Sequence, residues 1–440
     1  MRRSGPVSFE WLSVALAALI LCGGCSLVPR PARLSGNRAF IEYWAADPNS
    51  KQLRLAVKDN IDMKGIVTTA GSEIFSITHK PAEKDAACLA IARRRNVKIV
   101  GKTNLTEFAI SPSGMNEYLG TAVNPLKRRL IPGGSSSGNA VALASGMADV
   151  AFGTDTAGSI RVPAACCGIV GLKTTYGLVS LEGVYPVEPR YLDTVGPMGK
   201  DIALTVQGME LLQEGFGAKY ARAKAAKPSG PSIRIGRLKL KGTDPKIDHA
   251  IDDALARTGF QIVQLDESFS DNFEQAEKDG TTVASAGAWI TDQRFQFALG
   301  VTARTQAIIR LGQINYATGY RSALGRRNAW NRALRQVFEK VDLIALPTLQ
   351  KAPPGLPLLN LRIAILDAYV LQLQNTVAVN FAGNPALAMP VPLRGGKGAK
   401  TLGGARNAKT PVTSLQLIGP RLAEAELLNA GRLIESAVSW

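Results

Sequence analysis

The chain has 440 residues, 46% hydrophobic and 20% charged, with a net charge of +17. This composition excludes a disordered chain, and the length suits two or three domains or one large α/β domain. Lys and Arg are scattered, with no long basic run and no aromatic-interleaved patch. The charge therefore reads as a basic surface, and no nucleic-acid partner is expected.

Arg2 and Arg3 precede an apolar run from Trp11 to Cys22, followed by Gly23-Gly24-Cys25-Ser26. A charged start, about a dozen apolar residues and small residues beyond them read as an export signal over 1–25, too short for an ordinary membrane span. Cys25 resembles the lipidated cysteine of a bacterial lipoprotein, although Cys22 stands where leucine is usual. The expected location is the cell envelope, exported and lipid-anchored to the membrane on the periplasmic side; a plain cleaved signal or an uncleaved anchor is the other reading. Residues 26–37 read as a Pro-containing linker, and 38–440 as one domain.

"KQLRLAVKDNI" at 51–61 alternates like a strand. "DAACLAIARRRN" at 85–96 has helical spacing, and "VKIVGKTN" at 97–104 is again a strand. "SSSGNAVALASGMA" at 135–148 predicts a helix with serines as caps, and "DVAFGTDT" at 149–156 a strand and turn. Ala221–Gly230 reads as a basic surface loop. Beyond it, "IRIGRLKL" predicts a strand, and "DPKIDHAIDDALARTGFQIVQLD" a helix, a stop at Gly259 and a strand. "VDLIALPT" and "NPALAMPVPL" are further strand-and-turn segments. This alternation predicts an α/β fold with helices on both faces of a sheet. Of five cysteines, Cys22 and Cys25 belong to the leader, Cys166 and Cys167 are adjacent, and Cys88 lies in a helical pattern, so no disulfide framework is visible.

"GGSSSGNAVALASGMADVAFGTDTAGSIR" at 133–161 is built almost wholly of small residues and holds five serines. It reads as a linker, a phosphate cradle or a nucleophile loop. A nucleophilic serine needs a base. The two histidines, His79 and His249, lie in a loop-like and a charged helical segment, outside any small-residue motif. No metal-ligand spacing or P-loop occurs, so neither a metal nor a cofactor is expected, and the G-x-S-x-G elbow is absent around Ser159, where the sequence is A-G-S-I-R. Lysine remains. Lys58 sits inside the apolar strand segment Leu55-Ala56-Val57. It either faces solvent from an edge, pairs with a carboxylate, or is buried neutral. Lowering its pKa from ~10.4 towards ~7–8 costs about 4 kcal/mol of differential solvation, which burial can supply.

Here a family resemblance appears. Lys58 in "VKDNID", "GKTNLTEFA" at 101–109, "PGGSSSG" at 132–138, "GTDTAGSIRVPA" at 153–164, "CGIVGLKTTYG" and "LDTVGPM" at 192–198 resemble the amidase signature family in order and spacing. The likeness is dense over 41–212 and continues weakly through "ALPT" at 345–348 and "NFAGNPALAMP". The resemblance implies a mixed twisted sheet between helices, and a Ser–cis-Ser–Lys triad that hydrolyses amides. Ser159 would be the nucleophile, Ser135 the bridging serine after a cis Gly134–Ser135 bond, and Lys58 the base. The backbone of Thr156, Ala157, Gly158 and Ser159 would face the oxyanion, while Asp155 and Arg161 would hold the turn. Ala157 stands where glycine is common, and Thr174 where proline is common.

The expected activity is hydrolysis of linear carboxamide C–N bonds through a serine acyl-enzyme, with a small amide as partner. Two rivals stand beside it: the glutaminase-type subunit of an amidotransferase, against which the export leader argues, and a catalytically idle envelope lipoprotein on the same fold. The segment 270–370 is expected to supply much of the pocket wall.

Overall fold

The computed structural model describes residues 34–47, 49–357, 363–393 and 411–438. The expected export signal, Cys25 and most of the 26–37 linker lie outside the described residues.

One eleven-stranded mixed sheet organises the chain. Its strands are β1 (Phe40–Tyr43), β2 (Arg54–Lys58), β3 (Lys98–Thr103), β4 (Val150–Asp155), β5 (Val170–Lys173), β6 (Thr194–Gly199), β7 (Arg234–Arg237), β8 (Gln261–Gln264), β9 (Leu343–Pro347), β10 (Ala386–Pro392) and β11 (Val412–Ile418). Their order across the sheet is β1-β3-β2-β4-β6-β5-β10-β11-β9-β7-β8. β2 pairs parallel with both β3 and β4, and β7 with both β8 and β9. The pairings between β4 and β9 through β6, β5, β10 and β11 are antiparallel. Residues 54–155 and 234–347 thus each bring a parallel block, joined by an antiparallel centre.

The main helices that cover the sheet are α1 (Ser137–Ala144), α2 (Arg161–Cys167), α3 (Ile202–Leu212), α4 (Phe216–Ala226), α5 (Pro245–Ala256), α6 (Glu267–Asp292), α7 (Ala303–Thr318), α8 (Tyr320–Lys340), α9 (Ile363–Leu373), α10 (Val377–Ala382) and α11 (Glu424–Ala437). Their starts follow simple chemistry. Asp201, Asp266 and Thr302 accept backbone N–H bonds from Leu204, Phe269 and Thr305, satisfying donors that a helix end leaves free. Asp244 does the same before Pro245, which needs no N–H there. α2 ends at Gly168, whose φ of 68° is left-handed.

The sheet buries both faces, and alternation sorts its residues. Leu55 and Val57 of β2 join Val150 and Phe152 of β4 in one core. Ala56 and Ala151 point the other way and pack under Ala140, Val141 and Leu143 of α1. α3, α5 and α11 close one side of the β10–β11–β9 region, and α6, α8 and α10 the other. α1 sits unusually close to its neighbours: a Cβ on Gly138 would lie 2.2 Å from the Ala39 carbonyl oxygen.

Two expectations are corrected. Ala221–Gly230 is mostly helix, since α4 runs to Ala226; alanine, lysine and arginine favour helix, and only Pro228 and the glycine argue for a loop. The serines before α1 do not cap it, because Ser136 at the N-cap makes no capping bond and its hydroxyl donates to the Thr154 carbonyl at 3.4 Å. The segment at 85–96 is a 3-10 turn over Ala87–Leu89 continued by a short helix over Ala90–Arg94.

Candidate active site

The carboxyl ends of β2 and β4 lie side by side in the parallel block, where open α/β sheets place their crevices. Lys58 ends β2 and is fully buried. Its ammonium nitrogen lies 2.7 Å from Ser135 Oγ and 2.7 Å from Thr154 Oγ1. Neither partner is a carboxylate. Burial therefore dominates and lowers the Lys58 pKa to about 7, with Asp155 and Asp193 opposing the fall from a distance.

Ser135 follows a cis Gly134–Ser135 peptide bond and is fully buried. The amide of the next residue, Ser136, donates to the carbonyl of Ser159 at 3.2 Å, tying the serine-rich loop to the turn after β4. Ser159 itself is half-buried and lines a cavity of about 220 Å³.

That turn is fixed at successive peptide units. The Ala157 carbonyl accepts from Thr376 Oγ1 at 2.6 Å and Gln374 Nε2 at 3.1 Å, and the amide on the other side of that peptide, Gly158 N–H, donates to Asp155 Oδ1 at 2.8 Å. The Gly158 carbonyl accepts from Val162 N–H at 2.7 Å, so the Ser159 N–H of the same peptide points away from α2. Ile160 N–H returns to Asp155 Oδ2 at 3.0 Å. Gly158 adopts φ 128°, and a Cβ there would sit 2.3 Å from Thr376 Oγ1. One expectation is corrected here: Gly158 N–H is spent on Asp155 and does not face an oxyanion.

Asp155 and Arg161 form a fully buried pair at 3.0 Å. Arg161 also donates to Thr376 O, Gln416 Oε1 and Asn380 Oδ1 at 3.0, 2.7 and 2.5 Å. Burial raises the Asp155 carboxyl, but Arg161 beside it, with Lys173 and the Asn380 amide, more than offsets this and holds it well below the usual range. The pair makes no contact with the cavity; it holds the turn. Asp155→Ala should strand a buried guanidinium and destabilise the protein by roughly 3–5 kcal/mol, read as a shifted midpoint in urea unfolding.

Neither histidine joins this site. His79 is exposed and stacks on Phe75 at 3.8 Å, and His249 is exposed on α5. Cys88, Cys166 and Cys167 are buried free thiols, and burial pushes all three pKa values up. Thr154, Gln374, Thr376 and Asn380 were not anticipated. Thr154 left a sequence signal as a second threonine two residues before Thr156, and Asn380 as the first residue of the quoted "NFAGNPALAMP".

The fold and this crevice fit a class of enzymes that act on C–N bonds, and comparison with known proteins identifies the family. The Amidase family model matches residues 53–428, and the chain belongs to that family. A curated relative, a glutamyl-tRNA(Gln) amidotransferase subunit of Halobacterium salinarum, is 30% identical over 437 residues, covering 89% of this chain and 96% of that protein. The protein of the same name from Streptococcus pneumoniae is 31% identical over 438 residues, covering 90% and 84%. Among solved structures, 6-aminohexanoate cyclic dimer hydrolase superposes with a TM-score of 0.75 at 21% identity, over 99% and 94% of the two chains. The corresponding amidotransferase subunit of Thermotoga maritima gives 0.71 at 24%, over 97% and 90%. These two show a shared fold.

The expected envelope location is overturned by the same comparisons. The curated relatives spanning nine-tenths of the chain are named for work on a charged tRNA, which points away from an exported, lipid-anchored protein. Among the described residues no helix is long and apolar enough to cross a membrane.

Proposed function

We propose that this chain hydrolyses carboxamide C–N bonds through a serine acyl-enzyme, with Ser159 as nucleophile, Ser135 as relay and Lys58 as base. The observation that carries this is the 2.7 Å contact between a buried lysine of pKa about 7 and Ser135. A neutral Lys58 takes the Ser135 proton as Ser135 takes that of Ser159. The Ser159 oxygen attacks the amide carbon, and the developing oxyanion faces the free N–H groups of the turn. Lys58 then returns the proton through Ser135 to the departing amine. Water repeats the sequence on the ester and frees the acid.

The relatives favour a second, narrower reading: a glutaminase-type subunit that releases ammonia for a partner. On likeness alone it stands ahead of a free amidase. Hydroxylamine tests both. An acyl-enzyme passes its acyl group to hydroxylamine, so each amide turned over should yield its hydroxamate. Ammonia release with no hydroxamate from any amide would sink the covalent route. Hydroxamate from glutamine alone would select the glutaminase-type reading.

A further inference from the structure

We propose that Asn60 is a positioning residue for the base: acting through Thr154, it turns the Lys58 amine towards Ser135 and disfavours its ammonium form. This rests on the acyl-enzyme reading and adds to it a residue outside the Ser–Ser–Lys set.

β2 ends at Lys58, and the chain turns at once, with Ile61 N–H donating to the Lys58 carbonyl at 3.0 Å. Asn60 lies in that turn and is 1% exposed. Its amide nitrogen donates to Thr154 Oγ1 at 3.1 Å and to the Tyr185 carbonyl at 3.1 Å. The carbonyl decides which end of the amide is which, because only the nitrogen can donate to it. Tyr185 is held in turn: its N–H donates to the Asn60 carbonyl at 2.8 Å, and its hydroxyl to the buried Asp292 at the end of α6. The side-chain oxygen of Asn60 is buried with no hydrogen-bond partner among the described residues. The turn thus strands a buried acceptor and keeps an N–H on Thr154.

A hydroxyl oxygen has two lone pairs and one proton. Asn60 takes one lone pair of Thr154, and Lys58 Nζ lies 2.7 Å from the same oxygen. The remaining lone pair can take one N–H of the amine, which leaves the amine's own lone pair for Ser135, also 2.7 Å away. Two donors on one oxygen compete, and the Asn60 N–H brings the positive end of an amide dipole close to the base. Both weaken what an ammonium would gain from Thr154. The charged groups nearby act in the opposite sense or on each other. Asp155 of β4 and Asp193 before β6 favour the ammonium, but Asp155 is spent on Arg161, and Asp193 accepts from the Thr156 hydroxyl and the N–H groups of Val187 and Glu188. Asp59, next to Lys58, pairs with Lys102 of β3 at 3.1 Å.

The test is the rate at which a fluorophosphonate labels Ser159 from pH 5 to 10, read as a midpoint and a plateau. Asn60→Leu frees Thr154 for the ammonium, so the midpoint should rise by about one pH unit, a tenfold gain in proton affinity. Thr154→Val removes the acceptor itself, so the midpoint should fall, and the plateau should drop about tenfold as the amine loses its orientation. Thr154→Ser should restore both. In the Thr154→Val background, Asn60→Leu should move the midpoint by less than about a third of a unit, because its route is gone. If Asn60→Leu does not fold by circular dichroism, Asn60→Ala takes its place with the same signs. An unmoved midpoint in Asn60→Leu, a shift of the same sign as in Thr154→Val, or a full shift without Thr154 overturns the inference and leaves Lys58 standing as the base. A wild-type rate flat across this range overturns both.

Discussion

Ser159→Ala should take no label from a fluorophosphonate probe and hydrolyse no amide above background, whereas Ser135→Ala should still label at Ser159, slowed by about 10²–10⁴. The two serines differ because one would make the covalent bond and the other would pass a proton. Ser135 is one of the two hydroxyl residues in contact with Lys58. Removing its hydroxyl leaves a nucleophile with no path to the base. Ser136 and Ser137 serve as controls. The Ser137 hydroxyl is buried with no hydrogen-bond partner, so Ser137→Ala should leave labelling intact and cost little stability. Peptide mapping of the labelled protein settles the order. Label on any serine other than Ser159 would refute the assignment even if the protein hydrolyses amides.

The parts of this site that were legible in the sequence are local. β2, β3 and β4 are short apolar runs with clear boundaries, and the small residues around Ser159 lie within one continuous stretch. Lys58 stood out because a lysine in a doubly buried strand breaks the apolar pattern. What closes the site was not legible. Gln374, Thr376 and Asn380 reach the turn from more than two hundred residues away, and an amide or hydroxyl side chain gives no sign in the sequence of its distant partner. The fate of Gly158 N–H was hidden for a related reason. A small-residue motif announces amides turned inward, but only the position of the Asp155 carboxylate decides which of them it takes. The wall came partly from the expected 270–370 segment, through α6, α7 and the start of α9, and partly beyond it, at Leu371, Gln374 and Val377. The location was misjudged because the first residues were read by pattern alone, while relatives that cover 89% and 90% of the chain are named as tRNA amidotransferase subunits.

The pH profile should carry the signature of Lys58. Only the neutral amine can accept a proton, so activity should be low in acid, rise through about pH 7 and level off above it. Lys58→Ala should lose about 10²–10⁴ of the rate. Lys58→Arg keeps a cation but cannot give it up, and it should be as inactive as the alanine variant, which separates a base from a mere charge. Stability should also rise with pH, over a higher range. The folded pKa lies below the unfolded value of ~10.4, so between about pH 7 and 10 the unfolded chain binds more protons, and this group makes the fold more stable as pH rises. At pH 7 and below the full cost of burying an amine is present. Lys58→Met relieves that cost and leaves the Ser135 and Thr154 hydroxyls short of a partner, so at pH 7 it should be stabilised by a few kcal/mol at most, roughly 4 as the ceiling. A variant that unfolds at higher urea than the wild type and yet hydrolyses nothing is what a buried base predicts. Near-wild-type activity in Lys58→Ala, or a rate flat from pH 5 to 9, would remove Lys58 from the mechanism.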